Sequence, residues 1–553
     1  MRWKTMAALL GSVGVILTAT SAHAAAPDVS DSAIEQLLAE SFQYDYTAIV
    51  DDASLRIFIS AFDRRLAAIE YRQRKELTVL PGSAGFAKSF RPDLEQRYRE
   101  LIGDRFIFEK LSQWQKTTSD PVNKAFIDLY LDKRSDLMAD PAVIRDARQL
   151  AQRISERLYA FGFTIDGNKY GIKDAARIIF AEENLLLARQ LYRMVNDSAA
   201  LLADDAAKLY VMYSRMGELR GYRTSLDYAL SRLSFRKPEW LIIVDNLKQV
   251  TEAEYAACLA DVKKEAGRDN LALFEIEKRL VDAVALLDVY FTPEKVDSAI
   301  RQLLTGFGFG DLIGRLDVRV VDSGNYPALA IRLFPPDENL LITNRQGGFG
   351  YYTRLAAELG RSLPWVFADS ALPYVLRDYP IGSEEMLTAL FETLAVDSAF
   401  LATHFAIPAE DLAKYSKKYR QLTTFRLRQT LMFFYFDYYL SEEKAANPGK
   451  LFMALEDSLF KVQDSSYQWI EILITGGLQS APLKLAHRFC WAKTLEILNR
   501  RFGDNFAADP SAGRFLIDTF CLPGRCQTIE QYITANAESR LGVAGIRRQL
   551  KFR

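Results

Sequence analysis

Nearly the whole chain carries apolar residues at spacings of three and four, and this helical periodicity is interrupted by one strand-like stretch. From Asp28 to Leu304 the pattern is helical throughout, as in Ile144 to Phe161, Ile172 to Val195 and Ala206 to Met216. Between Leu316 and Asn344 it changes: Val318, Val320 and Val321 precede Asp322-Ser-Gly-Asn325, and Ala328 to Leu333 and Leu340 to Thr343 flank Pro335-Pro336. After Gly347-Gly348 the helical period returns and holds to the C-terminus. A mainly α protein with one small sheet near residues 316–344 is therefore expected, and that stretch is read as the only strand-rich part.

With 70 Lys and Arg against 71 Asp and Glu, there is no basic field to favour nucleic acid. The most apolar internal run, Leu431 to Phe436, stops at Asp437 and reads as a buried helix rather than a membrane span. Arg2 and Lys4, the apolar stretch Met6 to Ala19 and the small-residue site Ala22-His23-Ala24 read as a signal peptide over 1–24. The expected location is thus exported, periplasmic or secreted, with cleavage near Ala24.

Histidine is scarce: His23, His404 and His487 are the three in the chain. Neither His404 nor His487 stands near a nucleophile motif such as G-x-S-x-G, which argues against triad hydrolysis. Gly306-Phe-Gly308-Phe-Gly310 and Gly347-Gly348-Phe-Gly350 lack a Gly-Lys-Ser/Thr or a βαβ context and read as turns. Cys258, Cys490, Cys521 and Cys526 would meet an oxidising compartment. Cys521-Leu-Pro-Gly-Arg-Cys526 closes a short loop and is the expected disulfide, while a zinc knuckle lacks a second cysteine pair.

The helix after the strand region reads Leu355-Ala-Ala357-Glu358-Leu-Gly-Arg361. A zinc peptidase places His-Glu-x-x-His at such a point, two imidazoles on one helical face and a glutamate that activates the metal-bound water. Here the glutamate and its spacing are present, and Ala357 and Arg361 fill the histidine positions.

This segment resembles the oligoendopeptidase F and thimet oligopeptidase family, and more distantly the angiotensin-converting-enzyme family. The match runs with Gly324-Asn-Tyr326, Ile342-Thr-Asn344 and Asp378-Tyr379-Pro through Glu385, together with Arg220-Gly-Tyr222 and Arg428-Gln-Thr-Leu-Met432. The resemblance implies a two-lobed helical peptidase-like (gluzincin) fold with a deep central cleft, an N-terminal helical lobe over 25–304 and a degenerate catalytic-type domain over 305–553. In that family a glutamate on a second helix is the third zinc ligand, and Glu385 stands 28 residues after Ala357. The segment that supplies the transition-state histidine and tyrosine corresponds to Pro482 to Phe489, with Leu483 at the histidine position and His487 nearby.

The chain departs from the family at the positions that do chemistry. No catalytic residue and no zinc or other cofactor is expected, since Glu358 and Glu385 alone make a poor zinc site. The expected function is that of a non-catalytic homologue binding a peptide or protein segment. Tyr326, Ala328, Ile342, Asn344, Glu358, Arg361, Glu385 and His487 are the candidate binding residues, and the Ala328 to Thr343 ribbon is a candidate edge for an extended chain. Two other readings stand beside it: a hydrolase with a relocated site at Glu358, Glu385 and His487, and an assembly partner with a closed cleft. Without a dication, Arg361 is expected to pair with Glu385, and Glu358 is its second candidate partner. Oligomeric state is not legible.

Overall fold

The computed structural model describes residues 31–39, 42, 44–77, 92–137, 141–181, 184–219, 222–233, 235–321, 328–380, 383, 385–442, 447–462, 466–474, 481–537 and 541–551. The expected signal peptide, Tyr326, Gly324 and Arg220 lie outside them. Helices dominate, as the periodicity requires. Those that carry the architecture are α1 (Asp52–Leu77), α2 (Pro121–Leu137), α3 (Lys237–Ala266), α4 (Phe349–Val366), α5 (Met386–Ala395), α6 (Ala409–Glu442) and α7 (Ala481–Phe502).

Two sheets are present among the described residues. β1 (Gly162–Ile165) and β2 (Asn168–Gly171) form an antiparallel hairpin. It corrects the expectation of a single strand-rich region, and its turn is Asp166-Gly167, both at positive φ, as a tight two-residue hairpin turn requires. In the second sheet β3 (Asp317–Val320), β4 (Ala328–Phe334) and β5 (Glu338–Thr343) run in the order β3-β5-β4, with β3 parallel and β4 antiparallel to β5.

Strands β4 and β5 are buried on both faces, while β3 lies largely exposed at the sheet's other edge. Leu333, Leu340 and Ile342 join a cluster with Phe58, Phe62 and Leu66 of α1 and Phe126 and Tyr130 of α2. Ala328, Ala330 and Leu341 join the larger cluster, which takes in residues from Ala147 to Ile546. The alternation of the strand places successive side chains in different cores. The apolar interior is therefore divided by the sheet, with helices before residue 138 on one side and the later helices on the other.

Charged groups are buried at the same junction. Asp378 accepts from Trp365 Nε1 at 2.9 Å, from Arg525 Nη2 at 2.9 Å and from Arg332 Nη1 at 3.2 Å. Burial works against its ionisation, but Arg525, Arg332 and the Trp365 bond more than offset this and hold the carboxyl at about 2. Arg377 bonds three backbone carbonyls, those of Leu372, Pro335 and Ser370, and so ties the 370–378 loop to the end of β4.

The run Leu431 to Phe436 lies inside α6, where Leu431, Met432, Phe434 and Phe436 are buried. Among the described residues no single helix is long and apolar enough to cross a membrane, and the one bent pair that passes together, Met386–Ala395 with Ser398–Phe405, turns by 55°. Cys258, Cys490, Cys521 and Cys526 are free thiols, which corrects the expected Cys521–Cys526 disulfide. The sulfurs are held apart by packing: Cys521 ends a helical segment inside the larger core, while Cys526 packs against the smaller one. Burial pushes the Cys258 thiol up to about 12, and the Cys526 thiol likewise to about 12.

Candidate functional site

Helix α4 begins where Gly348, at φ 100°, turns the chain and the Phe349 amide donates to Asp288 Oδ1 at 2.7 Å. Phe349, Tyr352, Ala356, Leu359 and Leu363 form its apolar stripe, and Glu358 is carried with them into the interior. The Glu358 side chain is completely buried, with one backbone hydrogen-bond donor and two ion-pair partners around it. The Ala330 amide of β4 donates to Oε2 at 3.0 Å, Arg354 pairs with Oε1, and Arg361 Nε lies 3.5 Å from Oε2. Arg354 and Arg361 stand four residues before and three after Glu358, so all three share one face of the helix.

Arg354 also donates through Nε to the Ala328 carbonyl at 3.3 Å. Strand β4 is an edge of its sheet, and the Ala330 amide and Ala328 carbonyl point away from β5 toward α4. Farther along, Arg74 of α1 donates to the Arg332 carbonyl at 3.4 Å. Charged side chains thus cover this edge, which is one way proteins keep an open strand from pairing.

Helix α5 packs closely on α4. A Cβ at Gly360 would lie 2.5 Å from the Leu387 carbonyl and 2.8 Å from Phe391 Cβ, so the helices approach as they do only because position 360 has no side chain. Glu385 is the residue that precedes α5, at its N-cap, and makes no capping bond there. It is exposed to solvent, yet the surrounding protein still opposes its ionisation; His487, Arg361, Arg488 and Lys484 more than offset this and hold its carboxyl below the usual glutamate range. His487, Lys484 and Arg488 all come from the first turns of α7. His487 is buried, and Lys484 and Arg488 are half-buried.

The expected Arg361–Glu385 ion pair is corrected: among the described residues Arg361 has its ion pair with Glu358, and Glu385 acts on it only at longer range. The reason is local. Glu358 lies one turn away on the same helix and is stripped of water, so its charge is felt more strongly than that of the solvated Glu385. The Glu358 charge is the main influence raising the Arg361 pKa, against burial, with smaller contributions from Tyr379 and Glu385. The Tyr379 hydroxyl in turn donates to the Arg361 carbonyl at 2.7 Å.

Ala357, Glu358, Arg361, Glu385 and His487 are thus brought together by α4, α5 and α7. Ala328 and Ile342 are buried in the sheet, and Asn344, half-buried just after β5, accepts from the Gln346 amide at 3.2 Å. Arg354, Lys484 and Arg488 belong to the site and were not anticipated. Arg354 stands at the helical pairing distance from Glu358, and Lys484 and Arg488 are four apart around His487; these spacings were the available signal. Among the described residues no three His, Cys, Asp or Glu side chains converge as metal ligands would. The glutamate pair offers oxygen donors only, and Glu358 already has three partners, so the residues present do not fit zinc. Compared with known proteins, the chain matches no family model and no curated protein.

Proposed function

We propose that this chain is a non-catalytic relative of zinc oligopeptidases that binds a peptide or protein segment beside Glu385. One observation carries the reading: Glu358, standing where a peptidase has its general base, is completely buried and committed to Ala330, Arg354 and Arg361. A general base must reach a water that attacks the substrate. Glu358 is instead a structural clamp between α4 and β4. Glu385, in contrast, is exposed to solvent at the start of α5.

The observed bonds shift the expected mode of binding. An extended peptide that paired with β4 at Ala328–Ala330 would have to displace Arg354 and Glu358, so the α5–α7 side, at Glu385, Lys484 and Arg488, is the more favourable contact. The test is metal content of the purified protein together with cleavage of an unstructured peptide library. Neither zinc nor cleavage is expected. Stoichiometric zinc with cleavage that disappears in Glu358→Gln would overturn the proposal. Ala357→His with Arg361→His is expected to create measurable zinc affinity with little hydrolysis, and its failure to bind zinc would detach Glu385 from the third-ligand position.

A further inference from the structure

Between α3, α6 and the helix Pro448–Phe460 lies a recess of about 220 Å³, and none of its lining residues belongs to the site around Glu358 and Glu385. Leu451 and Leu455 give it an apolar wall, and Ser458 adds a hydroxyl. Tyr435 and Tyr439, one turn apart on α6, line another side with ring planes 17° from parallel and centroids 5.9 Å apart. The Tyr435 hydroxyl donates to Asp245 Oδ1 at 2.6 Å, which fixes the ring.

Lys248 of α3 is the one charged side chain in the lining. Its ammonium lies 5.8 Å from the centre of the Tyr435 ring, and among the described residues it has no ion-pair partner within 4.0 Å. The neighbouring acids on α3 are engaged elsewhere. Asp245 takes the Tyr435 hydroxyl, and Glu252 pairs with Arg428 at 2.8 Å and with Lys461 at 3.9 Å. The recess therefore joins an apolar and aromatic body to a single uncompensated cation.

We propose that this recess binds a small aromatic carboxylate, with its ring against Tyr435 and Tyr439 and its carboxylate accepting from the Lys248 ammonium. The proposal stands independently of the peptide-binding reading. Pockets for drug-sized ligands begin at about 300 Å³, so the recess suits a more compact molecule. Parallel tyrosine planes favour a further ring in offset stacking. One cation matches one negative charge, whereas a phosphate-like dianion would keep an unpaired charge in a partly apolar recess. A cationic ligand, which tyrosine rings alone would attract, is repelled by Lys248.

The experiment titrates the full chain with phenylacetate, phenylacetamide and cyclohexylacetate, read by ligand-observed NMR. Phenylacetate is expected to bind with a Kd of about 1 mM or below. The amide should bind about tenfold weaker, for loss of a charge-assisted contact, and the cyclohexyl acid about threefold weaker, for loss of stacking. Lys248→Gln should abolish the preference for acid over amide. Ala454→Trp, at an exposed lining residue, should fill the recess and abolish binding. No binding at about 10 mM, equal affinity for acid and amide, equal affinity for the aromatic and cyclohexyl acids, or an acid preference that survives in Lys248→Gln would each overturn the proposal. If Ala454→Trp lowers the thermal unfolding midpoint, Lys248→Gln decides alone, since the side chain it changes is half-exposed and holds no ion pair among the described residues.

Discussion

At the scale of single residues, the position that decides the chemistry is Glu358. Its surroundings convert a residue type suited to proton transfer into a packing element. Glu358→Ala strands the Ala330 amide in the interior and takes the ion-pair partner from the part-buried Arg354, and is expected to destabilise the fold by about 3 kcal/mol, the lower end of the range for breaking a buried pair. Arg361→Ala is expected to cost about 1–2 kcal/mol, because its side chain keeps contact with water and Arg354 remains on the carboxylate. Urea unfolding of the two variants measures both, and a larger loss for Arg361→Ala would reverse this ranking. Asp378 supplies a pH dependence. Its folded value of about 2 lies below that of an unfolded aspartate, so its contribution is complete above that unfolded value and is lost as the pH falls toward 2. That contribution is on the order of 2 kcal/mol. Asp378→Asn should therefore lower stability at neutral pH and flatten the loss on acidification, read from unfolding midpoints at stepped pH.

Among the elements, α4 and α5 are joined more tightly than their sequences suggest. Leu359-Gly360-Arg361 looks like an ordinary helix with one weak position, and glycine there would normally be a liability. The Leu387 carbonyl lies where a Cβ would go, so Gly360→Ala must push the helices apart. A destabilisation of about 1–3 kcal/mol is expected, as for other overpacked interiors, instead of the gain that alanine brings to an exposed helix. Thermal unfolding decides between the two signs. The same comparison shows what was legible. Apolar spacing marked α4 and α6, and the Asp166-Gly167 pair was a visible hairpin signal that the flanking short strands did not reinforce. The buried Arg428 of the Arg-Gln-Thr segment bonds the Leu459 carbonyl and pairs with Glu252 of α3, so that motif is accounted for by packing between α3 and α6. Nothing local distinguishes such a buried arginine from a solvated one.

For the whole molecule, the sheet between the two cores makes the first helices a structural requirement. A chain beginning at residue 138 would leave Leu333, Leu340, Ile342, Val375 and Leu376 without the α1 and α2 side chains that cover them. Such a truncation is expected to be insoluble or to bind a hydrophobic dye strongly, and a soluble, cooperatively unfolding 138–553 fragment would show that the second core is dispensable. The amino-acid sequence by itself determined the helical character, the place of the three-stranded sheet, the buried nature of Leu431 to Phe436 and the absence of histidine at the positions one before and three after Glu358. These follow from periodicity and residue type, which are local properties. Only the tertiary structure decided that Arg361 pairs with Glu358 rather than Glu385, that Arg354 covers the edge of β4, and that Cys521 and Cys526 face different cores. Each of these depends on which buried neighbour a side chain meets, and burial is set by elements far apart in the chain.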